Sequence, residues 1–430
     1  MMTAPQSEQE GFQSLLWALY GQMSESGDPL QKIRAKAWDH FLELGLPSKQ
    51  EEVYRYVRLR NLFSRTFTLA QTSELSREAI GQYILPECKQ SVLVFVNGFY
   101  SPHLSNREAI PKKTVITSLA EAANTFATLF NNQWMRGIRD ETDAFAAVNS
   151  ALHREGLFLY MPPKTVVETP IQILNVIDAR DSAMLIMPRV HVFAGAQSQM
   201  AIVSTQGLHS GKGYCINAVV DLSIEEDARI HYTQSAKSEA DDVWHFDAMR
   251  AALKRNSSLK TISVTDGSAT VRADYRVVLN GENAEALLNG VWMLNGKREA
   301  HTHVLMDHQA PHCRSMQLYK GVLNDTSRSS FEGKILVRQI AQKTEAFQLN
   351  NNLLLSDRAN ADSKPNLEIF ADDVKASHGA TVGQLDNEQV FYMKTRGFSE
   401  HDAKNLLVNG FCEEVLNLIQ VPSLAEQWKR

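Results

Sequence analysis

A mainly β protein, with a β-helix core between helical ends, is the fold the sequence predicts, and three observations predict it. Between about Gly156 and Asp386 strand signals dominate and amphipathic helical periodicity is scarce. Inside that stretch a strand-turn-strand pattern recurs after thirty positions: Val190, Val192, a turn at Gly195, Met200 and Ile202 resemble Val220, Leu222, a turn at Glu225, Ile230 and Tyr232. Both flanks instead carry apolar residues at helical spacing. Repeats of this size cannot bury their own apolar faces singly, so they favour stacking into a solenoid, with an ordinary β-sandwich as the alternative. The expected organisation is a helical and mixed region over 1–155, the β-helix over 156–385 and a helical region over 386–430.

Taken in order, the first 86 residues read as helices. Asp28 caps a helix with Pro29 at its first position, and Ile33, Ala37, Phe41 and Leu44 follow at helical spacing until Gly45 and Pro47 stop it. Ser48 and Glu51 have the spacing of a capping box ahead of a second helix, Val53 to Phe63. Its Arg55, Arg58, Arg60 and Arg65 read as a solvated face rather than a nucleic-acid patch, because the whole chain carries a net charge of -5. Val92 to Val96 reads as a buried strand ending in an Asn97-Gly98 turn. Further on, Val271, Ala273, Tyr275, Val277 and Leu279 alternate with Thr270, Arg272, Asp274 and Arg276, the period of a strand with one buried face. Similar logic recurs around Gly281-Glu282-Asn283-Ala284. Asn350-Asn351-Asn352 marks either stacked turns or a polar loop. Near the end Ser399 and Asp402 cap a helix whose stripe is Leu406, Leu407, Phe411, Val415, Leu416 and Ile419. That stripe packs either on the chain's own β domain or on another protein.

Composition narrows the function classes. A 430-residue chain that is 43% hydrophobic and 22% charged buries a real core and is not a disordered one. The negative net charge gives no long-range pull toward phosphates or anionic lipid, so neither nucleic acid nor membrane is expected as a partner. The beginning lacks the basic flank of a signal peptide, and no apolar run reaches the length of a bilayer span, so the expected location is cytoplasmic. Four cysteines, Cys88, Cys215, Cys313 and Cys412, form no CxxC pair and no disulfide framework.

Three segments bear on chemistry. Gly207 to Gly213 is a poor phosphate loop, with three residues between its first two glycines and Gly where Ser or Thr should hold magnesium, and it leads into a predicted strand from Tyr214. His301, His303, His308, His312 and Cys313 are the densest set of soft donors. His301 and His303 share one strand face, which is what a metalloenzyme on a cupin-like β-barrel would need, although no carboxylate stands beside them in the pattern. Glu368, Asp372, Asp373 and His378 form the third set, suited to ferrous iron or equally to a solvated acidic turn.

Gly281-Glu282-Asn283-Ala284-Glu285-Ala286, Asp307-His308, Pro311-His312-Cys313, Leu318 to Leu323, Phe331 to Ile335, Gln342-Lys343-Thr344 and Asn352 to Ser356 together resemble the SufB/SufD family. The longest ordered likeness is Lys364-Pro365-Asn366-Leu367-Glu368-Ile369-Phe370-Ala371-Asp372-Asp373-Val374-Lys375-Ala376-Ser377-His378-Gly379-Ala380-Thr381-Val382-Gly383. Weaker likeness at Pro188 to Val192 and Gly45 to Ser48 extends it over nearly the whole chain. The run Ser377-His378-Gly379-Ala380-Thr381, read as a turn, is similar to the SufD-type branch, where a SufB-type member shows a Glu-His-Glu-Ala-Thr-like pattern. The SufB-type Cys-Gly-Ala-His-Thr stretch is missing.

The resemblance implies a right-handed parallel β-helix between helical ends, heterodimerisation with a SufB-type subunit, and docking of one SufC-type ATPase on the C-terminal helices through Leu406, Leu407, Phe411, Val415 and Leu416. It implies a non-catalytic scaffold, with ATP hydrolysis supplied by SufC. A transient iron-sulfur cluster would form at the SufB-SufD interface and be shared with SufB, none being bound by the isolated chain, which would be free to form a homodimer. His378 matches the family's cluster-interface histidine, with Cys313, His312, Glu368, Asp372 and Asp373 as secondary candidates. Many relatives have Cys two residues before that histidine; here it is Ala376.

Overall fold

The computed structural model describes residues 4–23, 29–180, 182–211, 213–237, 240 and 242–429. Alternating strands feed two long sheets. One runs from Leu157–Met161 through Arg189–Ala194, Tyr214–Ile224, Val243–Leu253, Thr270–Leu279, Glu299–His308 and Arg328–Val337 to Asn360–Ile369. The other runs from Ile171–Ala179 through Gln199–Gly211, Arg229–Ala236, Ser258–Thr265, Glu285–Leu294, Arg314–Leu323 and Thr344–Leu354 to Val374–Gln384. Every neighbouring pair in these two series is parallel, giving a solenoid of about seven turns. This rules out both the β-sandwich and the cupin-like barrel, neither of which winds alternate parallel strands along one axis.

The thirty-residue likeness is the stacking register itself. Val190 pairs with Val220 and Val192 with Leu222 in one sheet, Met200 with Ile230 and Ile202 with Tyr232 in the other. All eight face the lumen and belong to one apolar core. One corner repeats with equal regularity: Gln197, Asp227, Asn256, Asn283, His312 and Lys343 all have left-handed backbones, φ 55 to 60°. Each donates its backbone N–H to a carbonyl one coil further on, from Gln197 to Glu226 through to Lys343 to Asp373. Asn and Asp tolerate this conformation best, which explains half of the set. Asn350, Asn351 and Asn352, expected in turns or a loop, lie instead inside a strand, because Ala346, Gln348, Asn350 and Asn352 line the lumen on alternate positions.

The N-terminal segment is less helical than expected. Helices Ala4–Gly21 and Gln31–Leu44 form, the second ending at Gly45 with φ 72°. The proposed cap Asp28 lies outside the described residues. No continuous helix covers Val53 to Phe63; a short 3-10 turn, Glu52–Tyr54, and one α-turn, Arg60–Phe63, replace it. Tertiary contacts override the local spacing there. Tyr54 is drawn fully into the core, donating to Asp143 Oδ2 at 2.5 Å with the Arg272 guanidinium 4.1 Å from its ring centre. Half of the capping box survives, as Glu51 accepts from the Ser48 N–H at 2.8 Å. Arg58, Arg60 and Arg65 are spent on ion pairs with Glu299, Glu8 and Asp242.

Val92–Val96 turns through Asn97 and Gly98, both at positive φ, into the antiparallel strand Phe99–Asn106. The same strand pairs in parallel with Ile171–Ala179, so the second sheet begins in the N-terminal region. At the other end, helices Glu400–Leu416 and Pro422–Trp428 cover the outer face of the second sheet, packing on Val264, Val291, Leu318 and Val322. Among the described residues no helix is long and apolar enough to cross a membrane.

Candidate functional site

Asn360–Ile369 and Val374–Gln384 are the last strands of their sheets, each with a neighbour on one side only. Their free edges carry backbone donors and acceptors that a further strand would satisfy. On Val374–Gln384 the residues Val374, Ala376 and His378 stand in register with Thr344, Ala346 and Gln348. Ala346 belongs to the lumenal core and Val374 and Ala376 pack on it, so this parity faces the lumen. His378 therefore sits at the solenoid's open mouth and is exposed because no coil lies beyond it. It is in mid-strand rather than in a turn. Gly379 continues the strand instead of reversing the chain, and a Cβ there would lie 3.1 Å from Cδ1 of the exposed Leu349.

The carboxylates do not converge on His378. Glu368 lies on the outer face of the other terminal strand, 2.6 Å from Lys334 Nζ. Asp372 and Asp373 are exposed in the corner joining the two terminal strands, where the Asp373 N–H donates to Gln342 Oε1 at 2.9 Å. His312 is held in the left-handed corner row, 3.9 Å from Glu282. Cys313 follows it into the lumenal core, its thiol 3.2 Å from the Gly281 carbonyl and pushed up to about 11 by burial. That thiol is poorly nucleophilic. Among the described residues no group of three or more His, Cys, Asp and Glu side chains is placed to hold a metal ion.

His301 and His303 do have carboxylates beside them: Glu299, two residues before His301 on the same strand face, was open to the period-two spacing and was overlooked, whereas Asp274 lies one coil away, where spacing does not reach. His301 Nε2 lies 3.3 Å from Glu299 Oε2, and its Nδ1 is 2.8 Å from Ser330 Oγ; His303 Nδ1 lies 2.7 Å from Asp274 Oδ1. Asp274 is shared with Arg250 at 2.6 Å and Arg272 at 3.0 Å, and Arg272 also reaches Asp143 at 2.6 Å. Together these groups form a buried charge network joining the N-terminal region to the first sheet. Desolvation opposes the charged form of Asp274, but the guanidinium pair holds its carboxyl well below the usual range. Gly207 to Gly211 lies in a strand paired with Ile171–Ala179, so no helix N-terminus follows it; Lys212 lies outside the described residues.

The C-terminal stripe divides. Val415 and Leu416 are buried against the chain's own sheet, and Ile419 with them. Phe411 and Leu407 are half-buried, and the Phe411 carbonyl accepts from Lys320 Nζ at 2.9 Å. Leu406 is exposed, as are Phe391, Tyr392 and Phe398 on and after the preceding helix Asn387–Thr395. The outward apolar set is thus contributed partly by a helix that lies within the helical region expected over 386–430 but whose apolar residues were not singled out in the sequence. Sequence reasoning also missed the polar lumen of the last coils, Gln317, Tyr319, Gln348, Asn350 and Asn352, all buried. The period-two alternation of Ala346, Gln348, Asn350, Asn352 and Leu354 was the signal that could have found it.

Residues 18–173 match the family model for the SufBD protein N-terminal region, and residues 175–411 match that for the SUF system FeS cluster assembly SufBD core domain. A SufBD family iron-sulfur cluster assembly protein of Synechocystis is 30% identical over 91% of this chain and 88% of its own. The iron-sulfur cluster assembly protein SufD of Escherichia coli is 27% identical, with 90% and 88% covered. SufB of Bacillus subtilis is 23% identical, with 91% and 86% covered.

Proposed function

This chain belongs to the SufBD family of iron-sulfur cluster assembly proteins, and from that premise we propose that it is the SufD-type scaffold subunit of a SufBCD complex. It pairs with a SufB-type subunit through the open end of its solenoid, and a SufC-type ATPase docks on its C-terminal helices. The observation that carries the reading is the pair of terminal strands, each free along its outer edge, with His378 at the lumen mouth. An edge strand of this kind is completed by strand addition, which supplies main-chain hydrogen bonds along its length. In the absence of SufB a second copy can occupy the same edge, and a two-fold axis would set the two identical strands antiparallel.

The cluster is cargo. A neutral imidazole is a competent iron donor, and His378 offers one such nitrogen toward the space a partner would close. One nitrogen cannot hold iron alone, and Ala376 provides no thiolate two residues away, so the remaining donors come from SufB cysteines. ATP is hydrolysed by SufC, and the apolar set Phe391, Tyr392, Phe398 and Leu406, with Leu407 and Phe411 beside it, is the surface offered to that subunit. The test is co-expression with SufB and SufC and recovery of a stable three-component complex that carries cluster absorbance. Recovery of this chain without SufB and SufC, or stoichiometric metal in the isolated chain, would overturn the proposal.

A further inference from the structure

We infer that Gln348 is a positioning residue for His378: its carboxamide oxygen, which makes no hydrogen bond in this structure, would accept one from the imidazole on rotation of that ring, so that the other ring nitrogen points away from the lumen. The inference rests on the reading of His378 as a cluster-interface donor and adds to it a residue one coil deeper.

Gln348 is 3% exposed, and its carboxamide is only half satisfied. Its Nε2 donates to Gln317 Oε1 at 3.1 Å, the Gln317 side chain being its register neighbour on the inner side. Its Oε1 has no partner, and a buried amide oxygen left unpaired costs about 1–3 kcal/mol. The register neighbour on the outer side is His378, on the same face of the adjacent parallel strand, where such neighbours are separated by about 4.8 Å. The lumen fixes the amide's place from the opposite wall as well. A Cβ on Gly333 would lie 1.6 Å from Gln348 Nε2, so the glycine is what lets the amide lie across the lumen. Gln317, Gln348 and His378 therefore form one inward-facing row whose inner link is made and whose outer acceptor is free. Which nitrogen of a ligating histidine carries the proton is set by the bond the other nitrogen makes, and such supporting groups commonly alter metal affinity or activity about 10–100-fold.

The test uses the full chain, alone and co-purified with SufB and SufC. In the chain alone, histidine-labelled NMR with His378→Gln for assignment reads the His378 tautomer and titration. Gln348→Leu is expected to shift the tautomer balance, and Gln348→Glu to raise the His378 titration midpoint by about one unit, because a carboxylate favours the imidazolium form. In the complex, Gln348→Leu is expected to lower cluster absorbance roughly tenfold with unchanged recovery of SufB and SufC. If Gln348→Leu misfolds, the Gln348→Glu titration decides, and an unmoved His378 midpoint overturns the inference. Full cluster loading by Gln348→Leu, with loading lost in His378→Ala, overturns the positioning role alone. Full loading by His378→Ala overturns the underlying reading, and the positioning role falls with it.

Discussion

His378 and His308 are two histidines on lumen-facing positions of one solenoid, and their surroundings give them opposite behaviour. His378 is exposed at the mouth, so truncation removes no packed contact. His378→Ala should leave the thermal midpoint and recovery of SufB and SufC unchanged while cluster absorbance on the complex is largely lost; a variant that loads fully removes His378 from the site. His308 is fully buried, its Nε2 2.8 Å from Ser315 Oγ, and burial pushes its ring down to about 4. The unfolded chain takes up that proton near pH 6.5, so the native state binds fewer protons below this value. The stability associated with neutral His308 is complete above about pH 6.5 and is lost as pH falls toward 4. Between pH 7 and 5 this amounts to about 2 kcal/mol. His308→Gln should flatten that part of the denaturant-midpoint profile, and an unchanged acid slope would show that other groups set it. The sequence named both histidines, but their difference depends on which coil closes over each, and no local pattern records that.

Among the elements, the start of the helix Glu400–Leu416 was legible, as Ser399 accepts from the Asp402 N–H at 3.1 Å in the way the capping pattern required, while the expected stripe ran on to Ile419, past the last helical residue. The role of the helix was not legible. Periodicity marks a stripe without saying what covers it, and here Val415, Leu416 and Ile419 are covered by the chain's own second sheet. Removing everything after Gly397 would therefore bare Val264, Val291 and Val322, and loss of SufC binding by such a truncation would report unfolding as readily as docking. Point variants separate the two. Leu416→Ala should destabilise the chain by about 2–5 kcal/mol, read as a lower denaturant midpoint. Leu406→Glu and Phe391→Glu, at exposed positions, should weaken SufC binding with the midpoint unmoved. Equal SufC binding by both glutamate variants would move the docking surface elsewhere. The Val53 to Phe63 segment failed as a helix for a related reason: burying Tyr54 against Asp143 and Arg272 outweighs the few tenths of a kcal/mol per residue that helix propensity offers.

For the whole molecule, the decisive feature is that a solenoid has ends. The outer edges of Asn360–Ile369 and Val374–Gln384 are open, and a charged side chain on such an edge opposes strand addition. Thr381→Lys together with Val382→Lys should therefore abolish pairing with SufB, and any self-association of the isolated chain, without lowering its thermal midpoint. Sedimentation of the variant beside the unmodified chain checks this, and an unaltered complex would place the contact on another face. The sequence by itself determined the repeat, because parallel stacking requires like residues at like positions, and the thirty-residue likeness of Val190 to Val220 is the observed register. It determined the lumenal parity of the strands for the same reason, and the family through the ordered run from Lys364 to Gly383. Only the tertiary structure decided that His378 lies in mid-strand at an open mouth, that Cys313 and His312 stay with deeper coils, and that Gln348 stands directly beneath His378. Those relations join residues about thirty positions apart, and they arise from the length of each coil and the place where winding stops rather than from any local propensity.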